Sequence, residues 1–275
     1  MRQDQDASQP DRMYSPEADF LVFAAGETQF ALPSFFVHSI IDKPRPTRMP
    51  MSGEAIRGVI DFPGGAIPLY DMRRKVGLPL LAEEVEGAIE LLGKRKQDHL
   101  SWIENLKRSV AENGKVTVET DPHRCAFGRW YDGFRTGSVN LTHYMARFDA
   151  PHRRIHGIAV EVEAALRRGD QSEAEAIIAS SEEVELKTLI ALFDGAGEVL
   201  RRFTYEYAII IRSGEQVFAL AVDSVNSFGK FEEIIYPLPP AIAACQHTFI
   251  EAIGRLKDAD ALADVLIINP GSLLQ

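Results

Sequence analysis

"FDAPHRRIHGIAVEVEAALRRGD" occupies residues 148–170. Phe148, His152, Ile155, Ala159, Val162 and Leu166 recur at alternating spacings of four and three, with Met145 one turn earlier. That spacing is the buried stripe of a bundle helix. Pro151 suits the first turn, Asp149 suits the cap, and "RRGD" (167–170) reads as a stop. His152 and His156 stand four residues apart and share a helix face. A pair so placed can hold one ion.

The same period continues on both sides. Upstream, Ile89, Leu92, Lys96, His99, Ile103, Leu106 and Val110 form a second stripe, closed by Gly114. Downstream, "QSEAEAIIASSEEVELKTLIALFDGAG" reads as a third long helix ended by Gly195 and Gly197. The short "CAFGRWYDGF" between the first two is helical or irregular. Residues 86–198 are expected to form a helical bundle.

Outside the bundle the period changes to that of strands. "FLVFAAGETQFALP" and "IRGVIDFPGGAIPLYDM" precede it, and "YEYAIIIRSGEQVFALAVDSVNSF" and "FIEAIGRLKDADALADVLII" follow it. Each is an apolar run, a turn and a second run, the pattern of a hairpin. The expected organisation is a multidomain α and β chain. Residues 19–85 are a first β part, 86–198 the helical domain and 199–275 a second β part. "ETQFALPSFFVHSI" and "GEQVFALAVDSVNSF" echo one another, which predicts two similar β subdomains. Residues 1–18 are polar and Pro-containing and read as a disordered tail.

Composition narrows the function. The net charge of -10 opposes a nucleic-acid or anionic-membrane surface, which needs clustered Lys and Arg. No apolar window approaches the ~18 residues of a spanning helix, and the tail lacks the apolar run of a signal peptide. The expectation is a cytoplasmic protein with reduced thiols and no direct membrane insertion. Two cysteines make no disulfide framework, so metal or redox chemistry competes with simple packing. For Cys245, in "AIAACQHTF", packing is the default reading.

Cys125 has a richer neighbourhood. His99 lies on one helical stripe, and His152 and His156 lie on another. Cys125 comes from the short segment between them. Each histidine alone has an ordinary reading as a hydrogen-bonded core residue. Together with a thiol they supply a complete tetrahedral set for Zn²⁺. A full set leaves no position for water, which favours a structural or sensing site over hydrolysis. "HRRIH" also lacks the glutamate that a metalloprotease places after its first histidine. His123 and His143 are the competing candidates, both expected to be exposed.

"DHLSWIENL" (98–106), "HRCAFGRWYDG" (123–133) and "APHRRIHGIAVEV" (150–162) closely resemble the chemoreceptor zinc-binding (CZB) domain. That resemblance implies zinc held by His99, Cys125, His152 and His156. Gly128 and Trp130 belong to the "HRCAFGRWYDG" motif, and packing that fixes the cysteine loop is their expected role, with glycine allowing a close backbone approach. Trp102, three residues after His99, is expected to pack beside the site. The flanks "FLVFAAGETQFALPSFFVHSII", "IRGVIDFPGGAIPLYDMRRKVGLP" and "AIIIRSGEQVFALAVDSVNSF" resemble CheW-like chemotaxis adaptors. This second resemblance implies a pair of five-stranded β-barrels, here interrupted by the helical zinc-binding bundle. It implies a non-enzymatic scaffold whose partners are chemoreceptor cytoplasmic tips and a CheA-type histidine kinase, recruited to membrane-associated arrays. It leaves homodimerisation open.

Two departures bear on the partner. Phe62-Pro63-Gly64-Gly65 stands where the adaptors usually carry Arg-Gly, and "IINPGSLL" replaces an Asp-containing end. The alternative readings are a zinc- or cysteine-dependent enzyme and an adaptor retargeted to another signalling protein.

Overall fold

The computed structural model describes residues 13–15, 17–50, 53, 55–112, 114–244, 247, 249–258 and 261–274. Two compact units emerge. One joins the chain up to residue 81 with the chain from 205 onward, and the other runs from 82 to 204.

The first unit is built on strands. β1 (Phe20–Ala25), β2 (Thr28–Pro33), β3 (Val37–Asp42), β4 (Ile56–Phe62) and β5 (Gly65–Asp71) precede the short helix α1 (Met72–Lys75). After the helical unit come β6 (Tyr207–Ser213), β7 (Gln216–Val222), β8 (Ser224–Gly229), β9 (Glu233–Ile235), β10 (Ile250–Asp258) and β11 (Ala261–Ile268). They form a six-stranded sheet in the order β8-β1-β2-β11-β10-β9 and a five-stranded sheet in the order β3-β6-β7-β5-β4.

These orders explain the internal echo. The hairpins β1–β2 and β6–β7 both turn on Gly-Glu pairs, Gly26-Glu27 and Gly214-Glu215, with φ +60° at each glycine. Two-residue hairpin turns need such positive φ values. β2 then pairs in parallel with β11, and β7 with β5, through equivalent Phe-Ala-Leu segments at 30–32 and 218–220. After β2 the chain passes to the other sheet as β3, and after β7 it passes back as β8. Each sheet thus takes a hairpin from one repeat and the later strands from the other.

The expected pair of five-stranded barrels is corrected in two respects. One sheet has six strands, and no ladder among the described residues closes either sheet into a ring. At the ends of the larger sheet, β9 has only three residues, and β8 and β9 do not pair. Phe231, in the link between them, packs its ring against Gly254, where a Cβ would fall 2.6 Å from it. The repeats also do not form separate subdomains, because the strands are exchanged between the sheets.

Alternation along each strand explains the unbroken apolar runs. Leu21 and Phe23 of β1 join Ile209 and Ile211 of β6 in a core shared by the sheets. Phe20 and Val22 face a second core, and Ala208 and Ile210 a third. Both faces of each strand are therefore apolar, as the two-residue period requires. Buried Arg73 joins the halves further: its Nε lies 2.8 Å from an Asp223 oxygen, while Gly26 N–H donates to the same carboxylate at 2.7 Å.

Of the N-terminal stretch read as a tail, residues 1–12 lie outside the described residues. Tyr14 does not behave as tail. It is buried on the larger sheet, and its hydroxyl donates to Glu251 at 2.6 Å. Cys245 also lies outside the described residues. The departure "IINPGSLL" has a local cause: Asn269 caps the short turn Pro270–Leu273 by accepting from Gly271 N–H.

The second unit is helical: α2 (Leu81–Ala111), α3 (Ala126–Gly133), α4 (Val139–Ala146), α5 (Asp149–Arg167), α6 (Gln171–Ser181) and α7 (Lys187–Phe203), with residues 182–186 as a π-helical turn. Its core draws Leu92, Ile103, Leu106 and Val110 from α2 and Ile155, Ala159 and Val162 from α5. Glu86 and Arg201 pair through two 2.7 Å hydrogen bonds, which holds the ends of the unit together.

Two local expectations change. The stripe through Met145 and Phe148 spans two helices, and Asp149 is the first residue of α5 rather than its cap. Gly195 and Gly197 lie inside α7 and do not end it. They serve close packing instead: a Cβ at Gly195 would sit 2.9 Å from the Tyr144 hydroxyl, and one at Gly197 would sit 3.4 Å from Ile89.

Candidate metal centre

Three helical segments deliver the side chains. On α2 the apolar stripe turns His99 into the core, and its Nδ1–H donates to the carbonyl of Arg95 at 2.7 Å. On α5 the same logic buries His152 and His156 one turn apart, with ring centroids separated by 4.9 Å. His156 Nδ1–H donates to the carbonyl of Glu119 at 2.7 Å. Cys125 is the N-cap of α3, and its sulfur accepts from Gly128 N–H at 3.1 Å. Gly128 has no room for a side chain, since a Cβ there would lie 1.8 Å from the Pro122 carbonyl oxygen.

The donor atoms converge. One ligand atom each from His99, Cys125, His152 and His156 lies within 4.8 Å of all the others. Cys125 Sγ stands 3.2 Å from His152 Nε2. His99 and His156 spend their Nδ1 hydrogens on carbonyls, so each Nε2 carries a lone pair. Both Nε2 atoms are buried and have no hydrogen-bond partner. Buried polar atoms are nearly always paired, so two orphans facing one point call for a ligand. Zinc–nitrogen and zinc–sulfur bonds of ~2.0–2.3 Å give tetrahedral edges of about 3.3–3.6 Å. The Cys125–His152 pair at 3.2 Å is already close to such an edge, and the widest separations close by up to about 1.5 Å when the four donors take up a Zn²⁺.

Electrostatics matches the chemistry. Burial lowers the pKa of His99 and His156, and pushes His152 down to about 3. The imidazoles are therefore neutral, the state in which they ligate. Burial raises the Cys125 thiol, opposed by the N–H groups of Gly128 and Phe127. In the metal-free protein this residue holds the one ligand proton that binding must expel.

Aromatic rings wall the cluster. The Phe127 ring lies 4.9 Å from that of His152 and 5.1 Å from Phe193. Trp102 packs on His156 at 5.2 Å and donates its Nε1–H to the Glu119 carbonyl at 2.9 Å. Trp130 is half-buried beside Phe127 and Phe134. His123 and His143 are exposed and outside the cluster, His123 pairing with Asp132 at 3.0 Å. Sequence reasoning missed the carbonyls of Arg95 and Glu119 that fix the histidine tautomers. No residue pattern marks a carbonyl, because every residue carries one.

Comparison with known proteins places these features. Residues 99–163 match the chemoreceptor zinc-binding domain, and residues 19–97 match the CheW-like domain. The first match begins on His99 and contains all four converging residues. Among solved structures, the crystal structure of scaffolding protein TtCheW from Thermoanaerobacter tengcongensis is 14% identical, with 94% of this chain and 88% of that chain covered at a TM-score of 0.43. A search of curated proteins gave no match. No helix among the described residues is long and apolar enough to cross a membrane. The chain carries a CheW-like domain followed along the sequence by a chemoreceptor zinc-binding domain.

Proposed function

We propose that the protein is a zinc-binding adaptor of a bacterial chemotaxis signalling complex and not an enzyme. In this reading His99, Cys125, His152 and His156 hold one Zn²⁺, and the β unit docks chemoreceptor tips and a CheA-type histidine kinase in the cytoplasm. The observation that carries it is the convergence of four donors with two buried, unpartnered Nε2 atoms. Zinc bound there would supply charge and a fixed geometry, keeping Cys125 as thiolate. Four protein donors fill a tetrahedral shell, which supports a structural or sensing role over hydrolysis.

The residues divide the work. His99, Cys125 and the His152–His156 pair bring α2, α3 and α5 to one point. Arg95 and Glu119 carbonyls hold the imidazoles in the ligating tautomer, a supporting shell that governs affinity. Removal of the metal or oxidation of Cys125 is proposed to change partner affinity by about 1–3 kcal/mol, the usual range of allosteric coupling. The CheW-like match supports the partner assignment.

Elemental analysis of wild type and the four single alanine variants tests the site. The expected result is one zinc per chain in the wild type, lost on substituting any of the four and retained in His123→Ala and His143→Ala. Full retention in Cys125→Ala and His156→Ala refutes the ligand set. Calorimetric titration of a chemoreceptor tip and a CheA-type kinase domain into zinc-loaded and zinc-free protein tests the rest. Equal affinities in both states reduce zinc to a staple, and no binding in either refutes the partner assignment.

A further inference from the structure

A cavity of about 50 Å³ adjoins the donor atoms, and Asp98, His99, Trp102, Cys125 and His156 are among its lining residues. Asp98 and Trp102 also line a groove of about 650 Å³ along α2. Asp98 and Trp102 thus line both the small cavity and the groove. Among the described residues, Asp98 is the only carboxylate lining the small cavity. The unpartnered Nε2 atoms belong to His99 and His156, which line it too.

Four protein donors fill the tetrahedral shell, so an arriving aqua ion has to exchange its waters for protein ligands. The dication has to shed water at the mouth, where an oxygen ligand can replace what it loses. Asp98 stands there half-exposed, 3.2 Å from Arg95 Nε one turn back on α2. Arg95 is 22% exposed and its buried Nε makes no hydrogen bond, so the contact to Asp98 is an ion pair alone, and a dication competes with the guanidinium for the carboxylate.

We propose that Asp98 is the capture ligand of the metal site. Its carboxylate takes Zn²⁺ from the groove, strips part of its hydration and passes it to the Nε2 atoms of His99 and His156. Waters return to solvent, and Cys125 loses its proton to solvent as its sulfur completes the set. Asp98 is absent from the final shell, so it governs rates and not the resting affinity. The inference rests on the zinc reading above.

Stopped-flow mixing of full-length, metal-free protein with Zn²⁺ tests it, followed by the fluorescence of Trp102 beside His156. Electrostatic focusing changes association rates by ~10–10³. Asp98→Asn is expected to slow zinc association and chelator-driven release at least about 10-fold alike, with equilibrium affinity unchanged within about threefold. Glu112→Gln, farther along the groove, is expected to leave both rates at wild-type values. Wild-type rates in Asp98→Asn overturn the proposal, as does equal slowing in Glu112→Gln, which would mean general charge. Slower association with a matching loss of affinity also overturns it, because Asp98 would then be part of the resting site. Absence of zinc binding by the wild type refutes the zinc reading itself and is distinguishable from all of these.

Discussion

Replacing Gly128 by alanine tests whether backbone packing positions Cys125 for the metal. The added Cβ falls 1.8 Å from the Pro122 carbonyl oxygen, 2.9 Å from its carbon and 3.0 Å from His123 Cα. All three are main-chain atoms, so no side chain can swing away. Restoring even a tight ~3 Å contact requires the first turn of α3 to move by more than ~1 Å against the 122–123 segment. Metal–ligand distances tolerate about 0.2 Å. Cys125 caps that same turn, so its sulfur is displaced by several times the tolerance. The expected loss of zinc affinity is at least the 10–100-fold typical of supporting residues, about 1.4–2.8 kcal/mol. Competition against a chromophoric chelator measures it, with helix content checked by circular dichroism. Gly133→Ala, at the other end of α3, is the control, because nothing lies within 4 Å of its Cβ. Wild-type zinc affinity in a folded Gly128→Ala protein refutes the reasoning.

Other expectations concern stability and pH. His152 titrates at about 3 when folded against a reference value of 6.5, so the unfolded chain binds the extra proton between those values. Metal-free protein should therefore lose stability as pH falls below about 6.5, by roughly 2 kcal/mol at pH 5 from His152 alone. Urea denaturation at pH 7 and 5, for wild type and His152→Leu, checks this, and identical pH dependence in the two contradicts it. Asp223→Ala leaves Arg73 buried without its carboxylate and should destabilise the β unit by about 3–5 kcal/mol, with zinc content unchanged. Gly195→Ala should destabilise the helical unit through the Tyr144 hydroxyl. That cost should shrink in a Tyr144→Phe background, as a thermal-melt double-mutant cycle would reveal.

The helical unit was legible because burial imposes a period. His99 and His152 sat on stripes with isoleucine and leucine, so the sequence itself turned them inward. Gly195 and Gly197 misled because glycine permits both chain reversal and close helix contact, and only the neighbours Tyr144 and Ile89 decide which. Along the β strands, paired apolar runs about a turn predicted hairpins correctly. Strand exchange between sheets was invisible, because pairing β2 with β11 or β7 with β5 depends on residues far apart in sequence. The echo at 27–40 and 214–228 was real, and its meaning was a crossing point between sheets.

That exchange has a consequence for synthesis. β3, β4 and β5 leave the ribosome before β6 and β7, the strands they join, have been made. The whole of residues 82–204 is translated in between. At ~5–20 residues per second that interval lasts roughly 6–25 s. Among the described residues the core of the helical unit draws on its own span, so that unit can fold first. The first β segment must wait, its strand edges open to other nascent chains, until the last seventy residues arrive. Aggregation during translation should therefore track delays in making the helical unit, and a slow codon run there should lower soluble yield more than one placed after β11.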